Sequence, residues 1–407
     1  MLDRKYVTEF KKLGFGLFVH FGLYSGLGQG EWAYFFNEVP KKEYDKLLKS
    51  FKVSENFAGE LVHFAKRAGA KYITLTTRHH DGFSLFDTHG LSDYDVMHTP
   101  TKRDLVKEFV DECNKEGIRP FFYHTLMDWT DERYTKNFDE YLIYLRKSIE
   151  LLCTRYGKIG GFWFDGSWDK PKEAWEEDAL YATIRKYQPE AMIINNTGLS
   201  DQGKVGHYEL DSVTFERGKP AFVDNSDRPR AGEMCQFLNN NWGYSFTDIS
   251  YRGLRELLDD LTDCRKYGCN YLLNVGPKGD GTLGNIEKGI LENIGMWTDV
   301  YGESIYDVCP TDIKISGADE DFILRGSDCD YLFVHNLGMT ADKNVNVVAK
   351  AVKSFGFDSD KDIESIAWMD NNVELKFTKK GKTYQVNADN FSYGTNYCIR
   401  VAKIKYR

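Results

Sequence analysis

The segment IGGFWFDGSW at residues 159–168 combines a buried strand pattern with an abrupt polar end. Its apolar run from Ile159 to Phe164 has the composition of a short strand that is buried on both faces. Asp165 follows at once. An ionised carboxylate is costly to bury without a partner. One interpretation is therefore a functional carboxylate at the carboxyl end of a barrel strand, and the other is a loop residue that caps the next helix.

Strand and helix patterns alternate on both sides of this segment. Strand candidates begin at residues 15, 71, 119, 159, 191, 212, 234 and 270. Helical spacing is found at residues 56–69, 103–116, 137–156, 172–187, 252–266 and 285–300. This alternation, with short connections, predicts parallel strands joined by crossover helices. Eight such strands predict a (β/α)₈-like barrel, irregular where the strands near 212 and 234 are weak.

A doubly wound open sheet is the alternative architecture. Such a sheet needs a glycine-rich phosphate loop that opens a helix directly after the first strand. Residues 26–30 (GLGQG) are rich in glycine, but Glu31-Trp32 follows them in place of an amphipathic helix. The barrel therefore fits the sequence better.

The pattern changes after Cys309-Pro310. Short apolar runs between Gly, Asp and Asn turns replace the helical spacing, at residues 313–315, 321–325, 331–335, 345–349, 363–369, 373–378 and 399–405. Such runs predict a small antiparallel β-sandwich. We therefore expect two domains, the barrel at residues 1–308 and the sandwich at residues 309–407.

The bulk composition disfavours several classes of protein. A net charge of −9 argues against nucleic-acid binding, which requires a basic face. No segment approaches the ~20 apolar residues of a membrane helix. The first residues, MLDRK, lack the pattern of a signal peptide. The eight cysteines are scattered without a CxxC pair, so we expect them to be reduced and the protein to be cytoplasmic, with no membrane or nucleic-acid partner.

Polar residues follow the apolar run of six predicted strands, at the ends that a parallel barrel gathers on one face. In chain order they are His20, His79, His80, Tyr123, His124, Asp165, Asn195, Asn196 and Glu216. Any one of them could be a satisfied core or loop residue, but purely structural roles would scatter them over both ends of the strands. A single active site at the carboxyl ends explains them together.

The residue types at these ends limit the chemistry. A metal site needs three or more ligands, and His79-His80-Asp81 are adjacent residues, which in a strand point to opposite faces. The GxSxG motif of serine hydrolases and a phosphate-binding loop are absent from the sequence. We therefore predict no metal and no organic cofactor. Two carboxylates among histidines, amides and aromatic rings suit glycoside hydrolysis, in which one carboxylate attacks or activates water and the other protonates the leaving oxygen.

Seven motifs carry a resemblance to a known family. In chain order they are LFVHFGLYS (17–25) with Glu31-Trp32 after it, TTRHHDGF (76–83), YHTLMDW (123–129), FWFDG (162–166), SVTFERG (212–218), NWGY (241–244) and NYLLNVGP (270–277). Together they resemble glycoside hydrolase family 29, the retaining α-L-fucosidases, from about Leu13 to Asp307. The resemblance implies a barrel followed by a β domain. It also implies release of terminal α-L-fucose from a fucosylated oligosaccharide or glycoconjugate.

The resemblance implies a role for several residues. Asp165 matches the nucleophile, and Glu216 matches the acid/base. Substrate-binding positions match His20, Glu31, Trp32, His79, His80, Tyr123 and Trp163. Glu233, in Gly-Glu-Met-Cys, competes for the acid/base role, although Glu216 ends a strand of its own. Residues 195–198 (NNTG) stand where many members have an Asn-Asp-Arg-Trp-like segment, so the usual arginine contact to the sugar is unassigned, with His207 and Arg217 as candidates.

Two other functions stay open at this level. One is a carbohydrate-binding protein that keeps the pocket without the chemistry, and the presence of both carboxylates counts against it. The other is a barrel glycosidase for a related sugar such as a galactoside, which the size of the pocket around C5 would decide. The sequence indicates neither the fucosyl linkage, the leaving group, the oligomeric state nor the capacity for transfucosylation.

Overall fold

The computed structural model describes residues 4–340, 353–392 and 394–407. Packing divides the chain into two compact units. The first comprises Met1–Arg252 with Cys269–Glu292, and the second comprises Gly253–Gly268 with Asn293–Arg407. The predicted domain boundary at 308/309 lies inside the second unit. That unit also contains residues 253–268, the helix between the seventh and eighth strands of the barrel, so the division does not correspond to a single cut in the sequence. The boundary therefore stays a prediction.

The first unit contains a closed barrel of parallel strands. They are β1 Phe15–Val19, β2 Tyr72–Arg78, β3 Arg119–Thr125, β4 Gly161–Asp165, β5 Met192–Asn195, β6 Ser212–Thr214, β7 Ala231–Phe237 and β8 Asn270–Val275. Each strand pairs with the next along the chain, and β8 pairs with β1. This closure confirms the predicted (β/α)₈-like barrel and excludes the open sheet. Both weak strands exist, although β6 has three residues and pairs with β5 at one register position.

Helices connect most of the strands. They are α1 Lys5–Leu13, α2 Ala33–Phe36, α3 Lys41–Tyr44, α4 Phe57–Ala68, α5 Leu105–Glu116, α6 Glu132–Lys136, α7 Phe138–Arg155, α8 Glu177–Tyr187, α9 Leu254–Lys266 and α10 Asn285–Tyr301. Local sequence explains their ends, as in α5, where the Asp104 side chain accepts a hydrogen bond from the backbone N–H of Lys107 and Gly117 is left-handed. Residues 196–211 and 215–230 form no α-helix, so the barrel is irregular around β6. No helix in the described ranges is long and apolar enough to cross a membrane.

Large side chains fill the barrel interior. Phe18, Tyr72, Phe121, Trp163 and Met192 belong to one buried cluster there. Close approach explains a glycine in β1, because a Cβ at residue 16 would lie 2.4 Å from the Tyr72 ring. The interior is therefore a packed core, and open space is left to the ends of the barrel.

The remaining strands form β sheets in the second unit. They are β9 Cys309–Pro310, β10 Phe322–Arg325, β11 Asp330–Val334, β12 Met339–Thr340, β13 Lys353–Asp358, β14 Ile363–Trp368, β15 Lys376–Lys380, β16 Thr383–Ala388, β17 Phe391–Ser392 and β18 Arg400–Tyr406. An antiparallel sheet in the order β14-β18-β11-β10-β9 shares one apolar core with the antiparallel sheet β13-β16-β15. This arrangement confirms the predicted sandwich. β12 and β17 form a separate parallel pair. The strand predicted at residues 345–349 lies outside the described residues.

Candidate active site

Asp165 is the last residue of β4, and four side chains donate to its carboxylate. Tyr123 Oη lies 3.1 Å and His80 Nε2 3.4 Å from Oδ2, while Trp168 Nε1 lies 3.1 Å and Asn196 Nδ2 3.2 Å from Oδ1. Burial by itself would raise the pKa of Asp165. The hydrogen bonds from His80, Trp168 and Tyr123 outweigh that cost and hold its pKa below the ordinary value. Asp165 is therefore an ionised carboxylate aimed into the site.

Glu216 lies in the loop that follows β6, and one amide group links it to Asp165. The Asn196 Nδ2 group donates to Glu216 Oε2 at 2.7 Å as well as to Asp165 Oδ1. Its own carbonyl oxygen accepts a hydrogen bond from Thr214 Oγ1 at 3.0 Å, which fixes the orientation of the amide. Burial, followed by the neighbouring charge of Asp165, raises the pKa of Glu216 to about 7. The site thus combines an ionised Asp with a Glu that holds its proton in mildly acidic solution.

Glu233 has a different setting from Glu216. It lies within β7 and is 1% exposed, and its side chain is in the barrel interior. Its Oε1 accepts a 2.9 Å hydrogen bond from Trp163 Nε1, and its Oε2 accepts one from the Tyr72 hydroxyl. Burial raises the pKa of Glu233 to about 7. Both of its oxygens are occupied by protein donors, and it contributes to the wall of neither cavity described below.

Three histidines lie beside the carboxylates: His20, His79 and His80. His20 Nδ1 lies 2.6 Å from Asn274 Oδ1, and the Asn274 amide nitrogen donates to the Trp242 carbonyl at 2.7 Å. That orientation makes Asn274 Oδ1 an acceptor, so Nδ1 of His20 carries the proton and Nε2 is free to accept one. Burial lowers the pKa of His20 to about 3, which keeps the ring neutral. His79 Nδ1 is buried without a hydrogen-bond partner among the described residues, and burial lowers its pKa as well.

One sequence expectation about these histidines is wrong. His79 and His80 were expected to point to opposite faces as adjacent strand residues, yet both line the same cavity. The reason is that β2 ends at Arg78, so the two histidines are loop residues. Adjacent residues do point to opposite faces at the ends of β3 and β5. His124 faces Ser148 at 3.0 Å, and Asn195 donates to Glu177 at 3.2 Å, so neither lines the cavity.

Two connected cavities occupy this end of the barrel. The inner cavity, of about 70 Å³, is lined by Phe18, His20, Trp32, His79, His80, Tyr123, Trp163, Asp165, Trp168, Asn196, Glu216, Cys235 and Trp242. The outer cavity, of about 700 Å³, shares Trp32, Trp168, Glu216 and Trp242 with it and is also lined by Glu31 and Arg217. Glu216 therefore stands at their junction. A third cavity, of about 490 Å³, lies at the opposite end of the strands, beside α1, and contains none of these groups.

The structure brings together most of the residues that the sequence indicated. Eight of them line the inner cavity: His20, Trp32, His79, His80, Tyr123, Trp163, Asp165 and Glu216. Glu31 lines the outer cavity, where its carboxylate accepts a 2.7 Å hydrogen bond from the backbone N–H of Gly243. The sequence indicated no role for Trp168 or Trp242, which also line the inner cavity, and it indicated Asn196 without a specific role. Asn196 was visible as a polar residue after a strand, whereas only the fold brings Trp242 to the site.

Comparison with known proteins agrees with this site. The family model for alpha-L-fucosidases matches residues 2–303 of the chain. The chain belongs to the alpha-L-fucosidase family. The matched range contains every residue of both cavities.

Individual fucosidases are similar over most of the chain. The tissue alpha-L-fucosidase of Rattus norvegicus is 28% identical over 329 residues, which cover 73% of this chain and 69% of that protein. The plasma alpha-L-fucosidase of Homo sapiens is 26% identical, with coverage of 75% and 70%. Among solved structures, alpha-L-fucosidase isoenzyme 1 from Paenibacillus thiaminolyticus has a TM-score of 0.83 at 26% identity and covers 99% of each chain.

The two candidates for the family's arginine contact lie outside the inner cavity of this fucosidase-family chain. His207 pairs with Asp178 at 3.2 Å and packs against the Tyr181 ring. Arg217 lines the outer cavity. Neither residue therefore lines the inner cavity.

Proposed function

We propose that this chain is an exo-acting α-L-fucosidase that works by a retaining double displacement. The observation that carries the proposal is the pair of carboxyl groups joined by Asn196, one with a lowered and one with a raised pKa, beside a small inner cavity and a larger outer one. The terminal sugar is assigned to the inner cavity because Asp165 lines only that one, and the leaving group then faces the outer cavity, which Glu216 also lines. A fucosylated oligosaccharide or glycoconjugate is the expected substrate.

The two carboxylates divide the chemistry between them. Asp165, with its lowered pKa, attacks the anomeric carbon and forms a glycosyl-enzyme. Glu216, whose pKa is raised to about 7, gives its proton to the departing oxygen and then takes one from the water that releases the sugar. The first step removes the negative charge of Asp165, which is a cause of the raised pKa of Glu216. The pKa of Glu216 then falls, but burial still favours its protonated form, so Glu216 recovers a proton in the second step.

The separation of the carboxylates supports retention. One nitrogen donates to both groups, over 3.2 and 2.7 Å, so their nearest oxygens are no farther apart than these two bonds laid end to end. That limit is compatible with the spacing of about 5–5.5 Å in retaining enzymes.

Glu216 is the better acid/base on geometric grounds. Glu233 has a similar pKa, but both of its oxygens accept hydrogen bonds from Tyr72 and Trp163 inside the barrel. A general acid must reach the oxygen that it protonates. Of the two glutamates, only Glu216 lines the two cavities, so it is the one that stands where the bond to the leaving group would lie.

Neutral histidines suit the recognition of sugar hydroxyls. His20 presents Nε2 as an acceptor because Asn274 fixes its other nitrogen as the donor. His79 Nδ1, which is buried and has no hydrogen-bond partner in the described part of the chain, is a second candidate for a hydroxyl contact. Stacked aromatic rings on the cavity wall, such as Tyr123 against Trp163 at 5.7 Å, offer faces for the apolar side of the sugar.

The stereochemistry of hydrolysis tests this proposal. We expect the wild type to cleave an aryl α-L-fucoside and to release α-L-fucose first, as followed by proton NMR before mutarotation. Release of β-L-fucose first would contradict the retaining mechanism. Faster turnover of the matching galactoside would favour a glycosidase for a related sugar, and binding of fucose without any turnover would favour a carbohydrate-binding protein.

A further inference from the structure

The outer cavity receives whatever group Glu216 protonates. This follows from the proposed function, because the inner cavity holds the sugar and Glu216 separates the two spaces. The outer wall therefore determines which leaving groups are accepted. Its most unusual member is Arg217, the residue directly after Glu216.

Arg217 has a strained backbone. Its φ angle is +50°, in the left-handed region that favours glycine, while the next residue, Gly218, is not in that region. The backbone N–H of Arg217 donates to the Cys235 carbonyl at 2.9 Å, which ties the turn to β7. The chain thus keeps a long charged side chain at a position where glycine would relieve strain. Strained backbone conformations of this kind are concentrated at functional sites.

The guanidinium of Arg217 has few partners of its own. Within the described ranges its side chain makes no hydrogen bond; it lies over the Phe237 ring at 5.6 Å, and its Nε is 3.9 Å from Glu216 Oε1. The other titratable side chains on the outer wall are Glu31 and Glu216, and burial raises the pKa of both. Arg217 is thus the one cationic side chain on the described wall of the outer cavity.

We propose that Arg217 is a specificity-determining residue that binds an anionic substituent, a carboxylate or a sulfate, on the leaving group. A guanidinium presents planar pairs of N–H donors, which match the oxygens of such groups. The contact forms on the leaving-group side and takes no part in bond cleavage. The enzyme then selects fucosides whose departing sugar or aglycone is acidic.

Three aryl α-L-fucosides test the proposal with leaving groups of similar reactivity. They carry 4-(carbamoylmethyl)phenyl, 4-(carboxymethyl)phenyl and 4-(sulfomethyl)phenyl groups, so one is neutral and two are anionic. We expect the wild type to favour the anionic fucosides in kcat/KM by about fivefold at low ionic strength, since a half-exposed ion pair contributes modestly. The preference should shrink as salt is added. The carboxylate and sulfonate arms show which kind of anion fits better.

Variants of Arg217 test whether this residue causes the preference for anionic fucosides. Arg217→Gln should bring the ratio of anionic to neutral kcat/KM close to one, and Arg217→Lys should keep part of it. Arg217→Gly should also lose the preference while its melting temperature is equal to or above that of the wild type, because glycine relieves the strain. Arg252→Gln is the matched control, because Arg252 contacts the same Phe237 ring at 5.8 Å but is not part of the cavity wall.

Three outcomes would overturn this inference. They are a wild-type ratio at or below one, a ratio that survives in Arg217→Gln, and an equal loss of the ratio in Arg252→Gln. Wild-type hydrolysis of the neutral fucoside is the separate check on the proposed function. If all three fucosides are left uncleaved, both proposals fail, whereas cleavage without preference for the anions removes only this one.

Discussion

The two halves of the barrel differ in regularity and in what they contribute, because the second half, β5–β8, contains the short strands β5 and β6 before the longer β7 and β8. Strands β1–β4 have five to seven residues, are each followed by at least one helix, and carry the nucleophile candidate and most of the inner cavity. Strands β5 and β6 have four and three residues, and loops without an α-helix follow both. Those loops carry Glu216 and Arg217. The regular half therefore builds the sugar pocket, and the irregular half builds the acid/base and the leaving-group side.

The largest effect is expected in the regular half. Asp165→Ala removes the nucleophile, so kcat on an aryl fucoside should fall by about 10⁴-fold or more. Thermal unfolding should stay close to the wild-type temperature. The matched control is Asp201→Asn, which removes a half-exposed carboxylate, paired with Lys204, from the loop after β5. Near-normal turnover in Asp165→Ala would remove Asp165 from the mechanism.

Asn196 donates hydrogen bonds to Asp165 in the first half and to Glu216 in the second, and its substitution should have the next-largest effect on activity. In Asn196→Ala the Asp165 carboxylate and the Glu216 carboxyl group each lose a hydrogen bond, and we expect kcat/KM to fall about 10- to 100-fold. The Asn196 bond lowers the pKa of Glu216, so its removal should also move the alkaline limb of the pH profile upward. A lower activity with an unmoved alkaline limb would show that Asn196 does not act on Glu216.

Glu233 should matter to stability more than to chemistry. Glu233→Ala removes the carboxylate that accepts hydrogen bonds from the Tyr72 hydroxyl and the Trp163 N–H in the interior, and we expect it to lower the free energy of unfolding by about 1–3 kcal/mol. Glu233→Gln keeps an acceptor for one donor and should lose less, as measured by chemical denaturation. A stable Glu233→Ala variant without activity would instead give Glu233 a chemical role.

The pH profile of wild-type kcat/KM should show the smallest of these effects, and it reports on the protonation of Glu216 and Asp165. Glu216 must be protonated, and burial raises its pKa to about 7, so kcat/KM should decline above about pH 7. Asp165 must be ionised and its pKa is lowered, so the acidic decline should lie below the ordinary Asp value of about 3.9. A profile without an alkaline limb near neutrality would contradict the assigned proton donor.

Sequence predicted the regular half better than the irregular one, for physical reasons. The apolar run before Asp165 and the β-branched run before the two histidines are local patterns, and each marks a strand end directly. The strand predicted from residue 234 begins at 231, which places Glu233 inside β7 and not beside it. The contact of Asn196 with Glu216, and the approach of Trp242 to the site, depend on loop paths that no local pattern records.

Azide rescue of the two glutamate variants tests the central assignment most directly. Aryl α-L-fucoside hydrolysis would be measured for Glu216→Ala and Glu233→Ala, each with and without sodium azide. The account predicts that azide restores turnover only in Glu216→Ala and yields α-L-fucosyl azide, because the small anion takes the place of water, attacks the β-linked glycosyl-enzyme without needing a general base and inverts the anomeric centre a second time. Rescue of Glu233→Ala, with a fully active Glu216→Ala, would contradict it.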